Sequence, residues 1–174
     1  MSECENVRVG REFLQSNAWP EVLRNVNHDR CYCNRCYPTS SRDTYIVGGK
    51  TYVIARGWTR FGVYVDEPFA KHHDVWKTWA NCYHGTSIEN AKSIVAHRQL
   101  LLPRDTTMEG EKLEIREGHI PGEYYFFTTP TIRYAALDCY AHTYEFTSPK
   151  NKQVYKIQLP DLQHVRIAEL LIPT

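Results

Sequence analysis

Ile88, Ala91, Ile94 and Val95 recur at three- and four-residue spacing, with polar residues between them. That stripe predicts an amphipathic helix over Ile88 to His97, capped by Ser87. Just before it, Asn81 to His84 reads as a short strand ending in the turn Gly85-Thr86-Ser87. Thr44 to Ile46 and Thr51 to Ala55 flank Gly48-Gly49 and predict a hairpin. Glu123 to Thr128 is an aromatic strand, and Pro130 suits the first turn of a second helix over Thr131 to Tyr140. Gln153 to Leu159 and Val165 to Ile172 alternate as strands do. Arg104 to Gly118 is charged and reads as an exposed loop, and Asp66 to Trp79 as a mixed polar stretch. Before Asp43 the pattern is weaker: a short helix over Glu21 to Asn25, then a compact Cys-rich loop and a polar connector at Thr39 to Asp43. The sum is an α+β fold, divided into an N-terminal segment over 1–43 and a main domain over 44–174.

Composition narrows the class. In 174 residues, 42% hydrophobic and 24% charged positions argue for a folded globular chain rather than a disordered one. A net charge of +1 gives no global field for nucleic acid or an anionic membrane. No apolar run nears the roughly 20 residues that span a bilayer. The polar start, Met1 to Arg11, lacks the apolar stretch of a signal peptide. The expectation is an intracellular protein, cytoplasmic or nuclear, without a membrane partner.

Cys31, Cys33 and Cys36 form Cys-x-Cys-x-x-Cys, three thiolates able to converge on one metal ion. In a chain without a secretion signal such clustering favours metal over a disulfide framework. Tetrahedral zinc needs a fourth ligand; His28 is nearest in sequence, with Cys4, Cys82, His72 and His73 as other options. Such a closed site is structural and staples the N-terminal segment to the main domain. Cys82 and Cys139 read as buried small apolar residues. His72-His73-Asp74 reads as part of a polar loop, and His97 and His119 as surface or cap residues.

The chemistry concentrates at Tyr83-His84-Gly85-Thr86-Ser87. Glycine admits a ligand close to the backbone, and histidine holds a sugar hydroxyl near neutral pH. Thr86 and Ser87 add hydroxyls where the N–H groups of a helix start gather. The second half is Tyr124-Tyr125-Phe126-Phe127-Thr128-Thr129-Pro130-Thr131-Ile132-Arg133-Tyr134-Ala135, an aromatic strand followed by a helix carrying Tyr.

This pairing resembles the ADP-ribosyltransferases of the poly-ADP-ribose polymerase and diphtheria-toxin type. With Gly57-Trp58-Thr59-Arg60-Phe61 ahead of it, the order and spacing are most similar to the C-terminal domain of the neuralized-like proteins (neuralized-like protein four and its relatives), over about Cys31 to Leu159. The resemblance implies a split antiparallel sheet, NAD as substrate and a zinc-binding Cys-rich module ahead of it. It implies that His84 holds a ribose hydroxyl and Gly85 the carboxamide through its backbone. Tyr134 stacks on the nicotinamide, Phe126 or Phe127 stands at the second-motif position, and Thr129 or Thr131 supplies a small hydroxyl near the amide. The activity implied is mono-ADP-ribosyl transfer to a protein, or to a nucleic acid, with release of nicotinamide.

The family's third motif is a Glu on a late strand, placed to stabilise positive charge on the ribose. The Glu-x-Glu-Trp stretch of the neuralized-like relatives has no counterpart here. Glu169, ahead of the apolar Leu170-Leu171-Ile172, is the candidate, and Glu145 the alternative. Without that carboxylate the chain is a silent NAD-binding or interaction module. RNA 2′-phosphotransferase chemistry shares the core but calls for a more basic surface.

Overall fold

A computed structural model describes residues 3–98, 101–107, 110–115, 122, 125–164 and 167–173, with the strands after residue 159 entering through their backbone alone. Helix α1 (Glu5–Ser16) comes first, followed by two single turns at Glu21–Leu23 and Val26–His28. Strands β1 (Arg30–Cys31), β2 (Thr44–Val47), β3 (Lys50–Val53) and β4 (Trp58–Phe61) precede the short helices α2 (Glu67–His72) and α3 (Val75–Thr78). Then come β5 (Asn81–Gly85), α4 (Ile88–His97), α5 (Ile132–Ala135), and β6 to β9 (Tyr144–Thr147, Val154–Ile157, Pro160–His164, Ile167–Pro173). The result is a mixed α/β structure of small antiparallel sheets. The largest has five strands in the order β1-β4-β9-β8-β5, and β2-β3 and β6-β7 form two-stranded ribbons. No helix among the described residues is long and apolar enough to cross a membrane.

Helix α4 spans the predicted residues and keeps its Ser87 cap, whose Oγ accepts the Asn90 N–H at 3.2 Å. The β2-β3 hairpin turns through Gly48 and Gly49 at φ of 54° and 71°, the positive pair that a two-residue turn demands.

The N-terminal segment departs from expectation. Its main element is the twelve-residue α1, which mixed polarity concealed in the sequence. Val7, Val9, Phe13 and Leu14 of α1 enter one core cluster with Phe61 of β4 and Ile88, Ala91, Ile94 and Val95 of α4. Phe13 meets the Phe146 ring edge-on at 5.5 Å between centroids. Each such side chain contributes roughly 1.5–3 kcal/mol on burial. The segment before residue 44 therefore shares a core with the rest, and β1 pairs with β4 inside the main sheet.

Other elements differ as well. Residues 125–128 form no strand; the contact is a single bridge between Tyr83 and Thr129. The second helix stops after Ala135, because Gln158 Nε2 binds the carbonyl of Ala136 at 3.1 Å and turns carry the chain on to Tyr140. Glu145, the alternative carboxylate, lies on β6, paired with β7, and is exposed. Cys139 is exposed and Cys82 half-buried, so neither is the buried apolar residue expected. His72-His73-Asp74 closes α2 and starts α3 rather than crossing as a loop, and His119 lies outside the described residues.

A buried ionic group fixes the N-terminal turns. Asp29, whose side chain is 3% exposed, accepts from Arg11 Nη2 at 2.9 Å, Arg24 Nη2 at 2.9 Å and the Gly62 N–H at 3.1 Å. Removing one partner of such a group strands the others. Asp29→Ala is expected to cost about 3–5 kcal/mol in urea unfolding; a loss under about 1 kcal/mol would contradict the role assigned to it.

Candidate functional site

Strand β5 ends where the two sequence motifs meet. The Tyr83 N–H donates to the Thr129 carbonyl at 2.8 Å, and the Thr129 N–H returns the bond at 3.0 Å. Tyr83 is fully buried, and its hydroxyl donates to the Val53 carbonyl at 3.0 Å. Two residues on, Gly85 makes room for α5. A Cβ there would lie 2.1 Å from the Ala135 carbonyl oxygen and 2.5 Å from Tyr140 Cβ. Glycine is therefore needed first for close packing of the chain against itself.

A cavity of about 540 Å³ opens beside this junction, a volume ordinary for a small-molecule site. Its walls include His84, Gly85, Thr86, Phe126, Phe127, Thr129 and Tyr134, all singled out from the sequence. His84 Nδ1 lies 3.0 Å from the Phe127 carbonyl, which only accepts. In the neutral ring the proton therefore sits on Nδ1 and the lone pair on Nε2. The Phe126 ring lies 4.2 Å from the His84 ring, and the Tyr134 and Tyr140 rings are 5.4 Å apart with their hydroxyls 3.1 Å from each other. A flat ring between aromatic walls, with a hydroxyl against the histidine, suits this arrangement.

Two of the expected residues stand outside the walls. Ser87 is occupied as the α4 cap, and Thr131 precedes α5 with its N–H on Thr129 Oγ1 at 3.3 Å. The start of α4 is also less open than a helix N-terminus can be. The Ile88 N–H donates to the Tyr144 hydroxyl at 2.9 Å and the Asn90 N–H to Ser87 Oγ. Glu169 occupies a position on β9 opposite Leu162 of β8, which stands opposite Tyr83 of β5; β8 thus separates Glu169 from the strand carrying His84. Residues that sequence reading passed over also line the cavity, among them Asn90, Leu101, Leu113, Glu114 and Tyr140. Asn90 lies one turn along α4 from Thr86, a spacing that periodicity makes readable. Leu113 and Glu114 come from a loop whose folding back leaves no periodic signal.

A second cluster lies at the base of α1. Cys4, Cys31, Cys33 and Cys36 bring their sulfurs within 4.8 Å of one another and can hold a metal ion. Cys4 Sγ is 3.6 Å from Cys31 Sγ and 3.9 Å from Cys33 Sγ, far beyond a disulfide bond. The fourth corner is Cys4, not His28. The Asn25–Asp29 turn packs His28 against Gly62, where an added Cβ would lie 2.5 Å from His28 Cβ, while α1 carries Cys4 to β1. The four thiols are made unequal. Burial raises Cys4, but the Asn6 N–H and the side chains of Cys36, Arg35 and Cys31 outweigh it and bring the group down to about 7. Burial pushes Cys31 up to about 12.

Compared with family models, curated proteins and solved structures, the chain matches none. The site thus rests on its own geometry. Gly85→Ala is expected to destabilise the fold by about 1–3 kcal/mol through overpacking against α5, read as a lower denaturation midpoint. A midpoint equal to the parent's would contradict the packing role.

Proposed function

We propose that the chain is an NAD-dependent mono-ADP-ribosyltransferase that carries a structural zinc ion. The observation supporting it is the convergence of His84, Phe126, Phe127, Thr129 and Tyr134 on one cavity around the Tyr83–Thr129 bridge. These residues come from two motifs more than 40 positions apart. Their convergence suits the nicotinamide and its ribose, an aromatic ring beside a pair of hydroxyls.

In this reading His84 Nε2 accepts a hydrogen bond from a ribose hydroxyl and fixes the sugar, while Tyr134 and the Phe126 wall confine the nicotinamide. The bond between the ring nitrogen and ribose C1′ breaks, and its electron pair leaves with nicotinamide as a neutral molecule. The acceptor nucleophile then bonds to C1′ and gives its proton to solvent or a nearby base. Holding the ring and sugar in one orientation lowers the barrier by reducing the freedom that must be lost. Protein is the acceptor class proposed, with nucleic acid second. Glu169 remains the late-strand carboxylate to test.

Four sulfurs on a tetrahedron with zinc–sulfur bonds of about 2.3 Å stand about 3.8 Å apart, and the spacings of 3.6 and 3.9 Å match that edge. A site filled by four thiolates leaves no open position, so the ion's part is to hold α1 to β1.

A catalytically silent NAD-binding module is the second reading, favoured by the β8 strand standing between Glu169 and β5. Incubation with NAD and a cell lysate separates the two. Transfer of label to protein, lost in His84→Ala and in Glu169→Ala, is the result expected of the enzyme. Retained transfer in His84→Ala would remove the cavity from the reaction. NAD binding without nicotinamide release would favour the silent module. For zinc, metal analysis should give one ion per chain, lost in Cys4→Ser and kept in His28→Ala. Chelation should lower the thermal midpoint by about 10 °C; a metal-free purified chain with an unchanged midpoint would contradict the site.

A further inference from the structure

The cavity is lopsided in charge. Among its described lining residues, Glu114 carries a carboxylate and none is a lysine or arginine. The loop bearing Glu114 is pinned. Its two arms meet in an isolated bridge between Thr106 and Lys112, the Arg104 N–H donates to the Leu113 carbonyl at 2.8 Å, and the Leu113 N–H donates to the Asp105 carbonyl at 2.8 Å. Leu113, beside Glu114, lines a small inner recess with His84, Asn90, Ile94 and Phe126. Among the described residues no side chain or backbone group bonds to the Glu114 carboxylate. A charge held at the wall of an aromatic cavity, with no partner among the described residues, is set to meet a ligand.

The ligand chemistry follows from the sign. Aromatic faces such as those of Phe126, Tyr134 and Tyr140 attract a cation through the ring quadrupole, and a carboxylate adds direct attraction. An anion finds the reverse. No cationic side chain lines the described wall, and the Ile88 and Asn90 N–H groups of α4 are already bound. In a nicotinamide dinucleotide the two ends differ in this respect. The oxidised ring is a flat cation, the reduced ring is neutral, and the pyrophosphate is anionic.

We propose that Glu114 is a specificity residue that selects the oxidised dinucleotide, with its pyridinium ring, over the reduced one. The inference rests on the NAD reading of the cavity and adds to it the form of the nucleotide that the site admits. Selection at this point suits the reaction. Nicotinamide leaves the oxidised form as a neutral molecule, whereas the reduced ring would have to leave as an anion. A site that admitted both would be blocked by a dinucleotide it cannot cleave. The carboxylate is exposed, so water screens its attraction, and the selectivity it confers is modest.

The test is calorimetric titration of the full chain with NAD and with NADH, comparing the parent, Glu114→Gln and Glu111→Gln. Glu111 lies on the same loop and is not among the cavity's lining residues, so its variant controls for general loss of charge. Glu114→Gln is expected to weaken NAD about three- to fivefold and leave NADH unchanged. Glu111→Gln should alter neither affinity. An unchanged NAD affinity in Glu114→Gln, or an equal loss for both nucleotides, would overturn the role of Glu114 while leaving the NAD cavity intact. A parent chain that binds neither nucleotide would overturn the NAD reading and this inference together.

Discussion

The candidate site depends on one pair of backbone hydrogen bonds, between Tyr83 and Thr129. These residues lie 46 positions apart, and the bond pair closes the loop that contains α4 and the charged hairpin. Without it His84 and the aromatic segment before Thr129 belong to different parts of the chain. With it the His84 ring reaches Phe126, and the Phe127 carbonyl selects the ring's tautomer. Gly85 extends the same constraint, since α5 and Tyr140 lie where any side chain would stand.

The second constraint acts on the N-terminal segment. Asp29 gathers Arg11, Arg24 and Gly62, while the four thiols gather the start of α1 and the loop after β1. Both converge on α1, whose apolar residues share a core cluster with α4. The four-cysteine cluster, whose sulfurs could hold a metal ion, is thus linked by packing to the helix whose first turn borders the cavity.

Much of this was legible in the sequence, for identifiable reasons. Helix α4 has a regular stripe and a capping serine, and the Gly48-Gly49 turn has the residues its geometry needs. The convergence of His84 and Tyr134 followed a pair of motifs rather than any periodicity. Helix α1 was hidden because its buried face includes Gly10 and Glu12, which is satisfied by Arg8 and Ser148 and does not read as core. Its signals were Val9 and Phe13 four apart and the Arg8–Glu12 pair at the same spacing. Distance along the chain points to His28 as the fourth corner, and only the fold brings Cys4 into the cluster with Cys31, Cys33 and Cys36. Glu114 could not be picked out, since a hairpin held by backbone bonds leaves its position unmarked among neighbouring charges.

The central claim is that NAD occupies the cavity built on the Tyr83–Thr129 bridge. Hydrogen exchange read residue by residue, with and without saturating NAD, tests it most directly. The account predicts slower exchange at the Tyr83 and Thr129 amides and through Gly85 to Asn90, with α1 unchanged. Exchange at those amides that NAD leaves unaltered, or protection confined to another face, would contradict it.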